Sequence, residues 1–404
     1  MRPTCDDGVC ESELKCRTRD GWCLSIRRWA IAAELKDGDT VSQLNVRFKN
    51  EQTDAPGLVR SDAERLPVLL VHGLSSTSEC FDVSPGVSLA RFLAKRGWEV
   101  FAVDLRGSGR SDHPDFFGWS RSRHWTIDTY LREDCVAAID AVLSATGAPQ
   151  LHCVGHSLGG MLLCGALSDV VPNVKTKLAS GVMLSSSPFL GTSWFVKYLG
   201  SLIPLATCTG MLYARMMQQF VSPFVHSVVS STTLDRVYFW PSNTSPTAAR
   251  RLHARCFSDP SAGVVDQLYA AMKGQRELHS NDVEPVSWSS PKFLSSLYQR
   301  SLLMCLSPSF PETLQMSYCD GARLPLCGVP TLLISGDKDE QCTPEDIERT
   351  ADALGVMDQK TPHRHVELGP AHGTGDHYGH FDTLIGKRVQ EEVFPLIERW
   401  LYEH

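Results

Sequence analysis

Residues 151–160 read Leu-His-Cys-Val-Gly-His-Ser-Leu-Gly-Gly, and the reading of this stretch decides the fold. The short apolar run from Leu151 to Val154 meets Gly155-His156-Ser157-Leu158-Gly159, and apolar residues then recur at helical spacing through Leu167. The pattern predicts a strand, a sharp turn and a helix, with a serine at the apex. Such a turn puts the apical residue in a strained conformation that a side chain tolerates only between small neighbours. Gly155 and Gly159 supply that room, and Gly160 lets the helix pack close to the sheet. The hydroxyl then stands at the carboxyl end of a sheet, beside a helix amino end whose N–H groups favour developing negative charge. Ser157 is therefore the candidate nucleophile. The alternative is a glycine-rich packing turn with an inert serine.

A neutral serine is a poor nucleophile, so it needs a base, an acid to orient the base, and oxyanion donors. Upstream, Leu66-Pro67-Val68-Leu69-Leu70-Val71 reads as a buried strand running into His72-Gly73-Leu74. The backbone can turn over the site there, which makes the Leu74 N–H one candidate donor and the Leu158 N–H, next after the serine, the second. His72 reads as a brace for this loop rather than a proton carrier. Downstream, Pro330-Thr331-Leu332-Leu333-Ile334-Ser335 is another strand pattern, followed by Gly336-Asp337-Lys338-Asp339. Asp339 lies far enough around that loop to reach an imidazole, whereas Asp337 is better placed for turn hydrogen bonds. Of His372, His377 and His380, the last is nearest the point where the chain turns into an expected long C-terminal helix. His372 and His377 read as solvated loop residues. Ser157, Asp339 and His380 occur in the chain order that a strand–turn–helix nucleophile requires.

These elements resemble the α/β-hydrolase superfamily over nearly all of the chain, and within it the acid-lipase (gastric and lysosomal) branch and related serine esterases. Thr18-Arg19-Asp20-Gly21-Trp22-Cys23-Leu24 is similar to that branch's opening strand, T-x-D-G-Y-x-L. Val71-His72-Gly73-Leu74 matches its oxyanion strand, and Asp104-Leu105-Arg106-Gly107-Ser108-Gly109-Arg110-Ser111 resembles the superfamily loop D-x-R-G-x-G-x-S. Tyr378-Gly379-His380-Phe381-Asp382 resembles Y-x-H-x-D. The resemblance implies Ser157, Asp339 and His380 as the triad and Leu74 and Leu158 as oxyanion donors. Leu158 departs from the glutamine those lipases carry. The stretch from Trp125 to Gly147 is also similar to polyhydroxyalkanoate synthases, which use a cysteine where this elbow has serine.

At 404 residues the chain is long enough for one large α/β core with an added subdomain. The net charge of −7 is spread along the chain, and no basic stripe is available to neutralise phosphates, so a nucleic-acid partner is not expected. The most basic stretch, Arg106 to Arg123, reads as a solvated loop over the site. Fourteen cysteines make a poor disulfide framework: Cys153 and Cys164 fall inside predicted elements, and Cys5, Cys10, Cys16 and Cys23 lack C-x-x-C spacing for zinc. With a polar amino terminus and no run of transmembrane length, an intracellular, cytoplasmic location is expected. The sequon Asn243-Thr244-Ser245 is then expected to go unused. No metal or organic cofactor is called for.

The expected organisation is a weakly ordered arm at 1–17, an α/β-hydrolase core over 18–187 and 327–404, and a helical cap inserted at 188–326. A hairpin is expected around Asp37-Gly38-Asp39 and a surface loop at 50–65. The expected fold class is therefore α/β, a mostly parallel sheet with helices on both faces and catalytic groups at the strands' carboxyl ends. The interval 188–326 is too long for a structureless connection and is rich in apolar and aromatic residues such as Trp194, Phe195, Tyr198, Met216 and Phe220. Some of these side chains either line an acyl pocket and touch a lipid surface, or simply pack the cap. The resulting expectation is a serine hydrolase of lipophilic carboxylic esters acting through an acyl-enzyme. The alternatives are acyl transfer on the same triad, or a catalytically idle fold that binds ligands.

Overall fold

Nine strands share one sheet in the computed structural model, which describes residues 4–31, 65–114, 124–190, 233–274, 278–283, 315–321, 324–356 and 361–404. In chain order they are β1 (Thr4–Asp6), β2 (Val9–Arg17), β3 (Cys23–Ile31), β4 (Val68–Val71), β5 (Val100–Asp104), β6 (Leu151–His156), β7 (Leu178–Leu184), β8 (Thr331–Gly336) and β9 (Arg364–Leu368). Their spatial order is β1-β2-β3-β5-β4-β6-β7-β8-β9. Every pairing from β5 to β9 is parallel, while β1, β2 and β3 join antiparallel. The parallel strands are short apolar runs because both of their faces are covered. Within β4, Leu69 and Val71 face one core and Val68 and Leu70 the other, as the two-residue period of a strand dictates. The first core is closed by the helices Val136–Thr146, Leu158–Leu167 and Pro344–Leu354, and the second by Leu89–Ala94 and Phe394–Glu403.

Local signals set the element ends. Ser88 and Thr343 cap their helices by accepting the Arg91 and Asp346 N–H groups. Gly147 and Gly355 end theirs in the left-handed conformation, at φ 70° and 72°. The helix that follows the Thr126 cap opens as an α turn at Ile127–Thr129, widens over Tyr130–Cys135 and is regular again over Val136–Thr146.

Several expectations are corrected. Residues 4–17 do not form a loose arm; β2 pairs with β3 in a nine-residue register, and the turn between them is Thr18–Trp22. The Asp37-Gly38-Asp39 hairpin and the aromatic run Trp194, Phe195 and Tyr198 lie outside the described residues. Within 188–326 the helices Thr233–Tyr238, Pro246–Arg255 and Ala262–Gly274 are joined by a two-stranded ribbon, His279–Val283 with Gln315–Ser317, so that interval is not purely helical. The long C-terminal helix is three short ones, interrupted where Gly386 takes an extended ψ of 152° and where Pro395 opens Phe394–Glu403. Among the described residues ten cysteines are free, but Cys10, whose register partner across the β1–β2 turn is Cys5, is disulfide-bonded. Among the described residues, no helix is long and apolar enough to cross a membrane.

Candidate active site

The turn between β6 and the helix Leu158–Leu167 holds Ser157 at φ 53° and ψ −120°, a conformation few side chains adopt. Its surroundings fix it there. The Ser157 N–H donates to the Leu184 carbonyl at 2.9 Å, and the Ser157 carbonyl accepts from the Gly160 N–H at 2.9 Å and the Ser186 hydroxyl at 2.6 Å. A Cβ on Gly159 would lie 2.1 Å from the Val71 carbonyl oxygen, so only glycine fits where the turn crosses β4. Gly73 backs directly onto the serine, because a Cβ there would sit 2.8 Å from Ser157 Cβ and 3.3 Å from its Oγ. Leu74 follows, and among the described residues neither the Leu74 nor the Leu158 N–H has a hydrogen-bond acceptor.

His72 braces this corner. The Leu105 N–H donates to its Nε2 at 3.1 Å, so the proton is on Nδ1, which donates to the Gly73 carbonyl at 2.9 Å. Burial lowers its pKa, so it stays neutral. The Asp104 carboxylate ties the neighbouring loops by accepting the Ser78 N–H at 2.7 Å and the Arg110 N–H at 2.9 Å. Arg106, expected on a solvated loop, is instead buried, with its guanidinium 2.6 Å from Asp20 and 2.7 Å from Asp134. Burying that charge requires two carboxylates around it.

At the carboxyl ends of β8 and β9 there are two aspartate–histidine pairs. His380 Nδ1 lies 2.9 Å and 3.0 Å from the two Asp339 oxygens, with both side chains buried. Asp339 Oδ1 also accepts the Gln341 and Cys342 N–H groups, each at 2.9 Å. Asp337 pairs instead with His377, 2.5 Å away, and accepts the Tyr378 N–H at 3.0 Å. His377, expected to be simply solvated, is thus engaged, although its ring remains 37% exposed. His372 faces Glu367 at 3.4 Å near the surface. Asp382 anchors the His380 loop by accepting the Gly379 N–H at 2.7 Å, the Trp240 N–H at 2.5 Å and the Thr244 hydroxyl. Asn243 is buried and bonds the His377 carbonyl at 2.9 Å, so its amide is not offered as a glycosylation acceptor in the folded chain.

The sequence reading passed over His156, the residue before the serine. Its Nε2–H donates to the His380 carbonyl at 3.0 Å, and its ring lies 4.9 Å from the His380 ring and 4.8 Å from Phe381. One turn therefore carries Ser157 and holds the backbone of His380. The signal available in sequence was a polar ring in an otherwise apolar and glycine-rich motif.

Burial, reinforced by the nearby His380, pushes His156 down to about 3. Burial likewise lowers His152 and His253 to about 4 each. An unfolded histidine titrates near 6.5, so below that pH the unfolded chain binds protons that the folded chain refuses. The stabilisation is complete above pH 6.5 and is lost as pH falls toward 4. At pH 5 each group costs about 2 kcal/mol, offset in part by Asp134 and Asp382, whose carboxyls burial pushes up to about 6 and about 7 so that the folded chain takes up protons over the same window. The three histidines outweigh the two carboxyls, so the melting temperature is expected to fall between pH 6.5 and 4.5. A melting temperature flat across that window would contradict this expectation.

The family described as the alpha/beta hydrolase fold matches residues 67–372, and the chain belongs to that family. It is similar to a triacylglycerol lipase of Burkholderia plantarii, 29% identical over 214 residues that make up 52% of this chain and 53% of that protein. It is also similar to a tear acid lipase-like protein of Mesocricetus auratus, 29% identical over 42% of each chain. The chain thus spans about half the length of the curated relatives it matches. Among solved structures, an esterase from Exiguobacterium antarcticum superposes over 97% of this chain and 100% of its own, with a TM-score of 0.52 and 14% identity, a likeness of fold.

Proposed function

We propose that this chain is a serine hydrolase of carboxylic esters, with Ser157 as nucleophile, His380 as base and Asp339 as the group that orients it. The observation that carries the reading is the buried Asp339–His380 pair, tied through His156 to the same strained turn that presents Ser157. In the reaction, His380 Nε2 takes the Ser157 proton as Oγ attacks the ester carbonyl carbon. Asp339 accepts from Nδ1–H and stabilises the imidazolium that forms. The Leu74 and Leu158 N–H groups, which have no acceptor among the described residues, hold the tetrahedral oxyanion. The imidazolium then protonates the departing alcohol, leaving an acyl-enzyme. Water attacks that ester, giving its proton to His380, and the acid leaves as Ser157 is reprotonated.

Lipophilic esters are the proposed substrates, bound beneath the interval 188–326 acting as a cap. The lipase names of the curated relatives and the apolar sequence of that interval support this. Contact with a lipid surface through the cap belongs to the same proposal. With p-nitrophenyl esters, kcat/KM is expected to rise with chain length by up to nearly fourfold per methylene, the equivalent of about 0.8 kcal/mol of burial, before falling. A profile that peaks at acetate would leave a small-ester esterase. Labelling of the intact chain by a fluorophosphonate, abolished by Ser157→Ala, tests the nucleophile. Failure to label would favour a catalytically idle fold.

A further inference from the structure

Between β7 and β8 the chain passes beside the loop that follows β4 and bonds to it. Phe257 and Ser76 form an isolated antiparallel bridge. The Ser258 N–H donates to the Ser75 carbonyl at 2.9 Å, and the Ser258 hydroxyl donates to the Ser76 carbonyl at 2.8 Å. With its proton committed to Ser76, Ser258 Oγ is the acceptor of its 3.0 Å contact with the Ser108 hydroxyl. Ser258 is only 3% exposed, so water does not compete for these bonds.

What these bonds hold is a strained turn. Ser75 sits at φ 52°, where a residue other than glycine persists only if its neighbours over-determine it. It directly follows Leu74, whose N–H has no acceptor among the described residues, and Gly73, which backs onto Ser157. We infer that Ser258 is a positioning residue: through the Ser75 and Ser76 carbonyls it fixes the turn that aims the Leu74 N–H at the oxyanion. The inference rests on the proposed role of Ser157. The chain between β7 and β8 thereby contributes to the catalytic apparatus through Ser258.

Ser258→Ala keeps the backbone bond to Ser75 and removes the hydroxyl. Its kcat for a p-nitrophenyl ester is expected to fall roughly tenfold or more, because a donor displaced by a fraction of an ångström loses most of its effect on the transition state. KM should stay within about twofold, since the ground-state ester makes little use of the oxyanion site. Affinity for a trifluoromethyl ketone, which forms the tetrahedral oxyanion on Ser157, should fall in parallel with kcat. Ser258→Thr, which restores the hydroxyl, should recover most of the rate. The inference is overturned if Ser258→Ala retains wild-type kcat and ketone affinity, or if its loss of rate is accompanied by a lower melting temperature and a raised KM that Ser258→Thr fails to reverse. If Ser258→Ala does not fold, Ser258→Cys takes its place: its weak S–H donor should give a slowed enzyme, and an unslowed one overturns the inference. Fluorophosphonate labelling separates the two levels. A wild-type chain that is not labelled at Ser157 sinks the hydrolase reading, whereas a labelled wild type with an equally reactive Ser258→Ala sinks only the positioning role.

Discussion

Ser157→Ala is expected to lower ester turnover by roughly 10⁶-fold while leaving the melting temperature close to that of the parent chain. The size of the loss follows from the division of labour in the site: without Oγ there is no covalent intermediate, and His380 and Asp339 have no proton to move. The fold should survive, because the bonds that hold the turn run through the Ser157 backbone N–H and carbonyl, and these are unchanged. Steady-state kinetics on one ester, with a thermal melt on the same preparation, checks both halves. A variant that keeps more than about a tenth of the parent turnover would require another nucleophile.

Asp339→Asn is expected to cost about 10³–10⁴ in turnover. Asp339 Oδ1 accepts the Gln341 and Cys342 N–H groups, so the amide oxygen of an asparagine must take that place. The amide nitrogen then faces His380 Nδ1 and can only donate. That donor 2.9 Å from Nδ1 favours the tautomer with the proton on Nε2, the nitrogen that should receive one from Ser157, although the amide oxygen stays 3.0 Å from Nδ1. The adjacent Asp337→Asn should cost less than about tenfold, since its partner His377 is partly exposed and such pairs contribute little. If Asp337→Asn proved the more damaging change, the acid would belong two residues earlier in the loop.

Much of the fold was legible because parallel strands buried on both faces leave continuous apolar runs, and Leu66–Val71, Leu151–Val154 and Pro330–Ser335 are such runs, each followed within two residues by a glycine. The edge was not. Val9–Arg17 mixes cysteine, lysine and glutamate with little alternation, and its order comes from pairing with Cys23–Ile31, a contact no local pattern announces. The C-terminal segment departs from one long helix because Gly386 leaves the helical conformation and Pro395 offers no N–H to a preceding turn. Within the candidate site, spacing from strand ends singled out Ser157 and Asp339, and the place just before the last helices singled out His380. The bond from His156 to the His380 carbonyl joins positions 224 residues apart and exists only once the sheet has assembled. The same holds for Ser258, an unremarkable serine in sequence, 182 residues from the carbonyl it holds.

The antiparallel edge has a practical consequence for anyone trimming the chain. Leu24, Ile26 and Trp29 of β3 are wholly buried, Asp20 helps neutralise Arg106, and Cys23 exchanges bonds with Asp112 through its N–H and its carbonyl. The family match begins at residue 67, inside the region these side chains support, and stops at residue 372, short of His380. A fragment cut at those limits would leave β5 as an uncovered, sticky border and would carry Ser157 without His380, its proposed base. The boundaries of recognisable kinship and those of the smallest working unit do not coincide in this molecule. Excision should therefore be guided by the register of β3 on β5 and by the last helix.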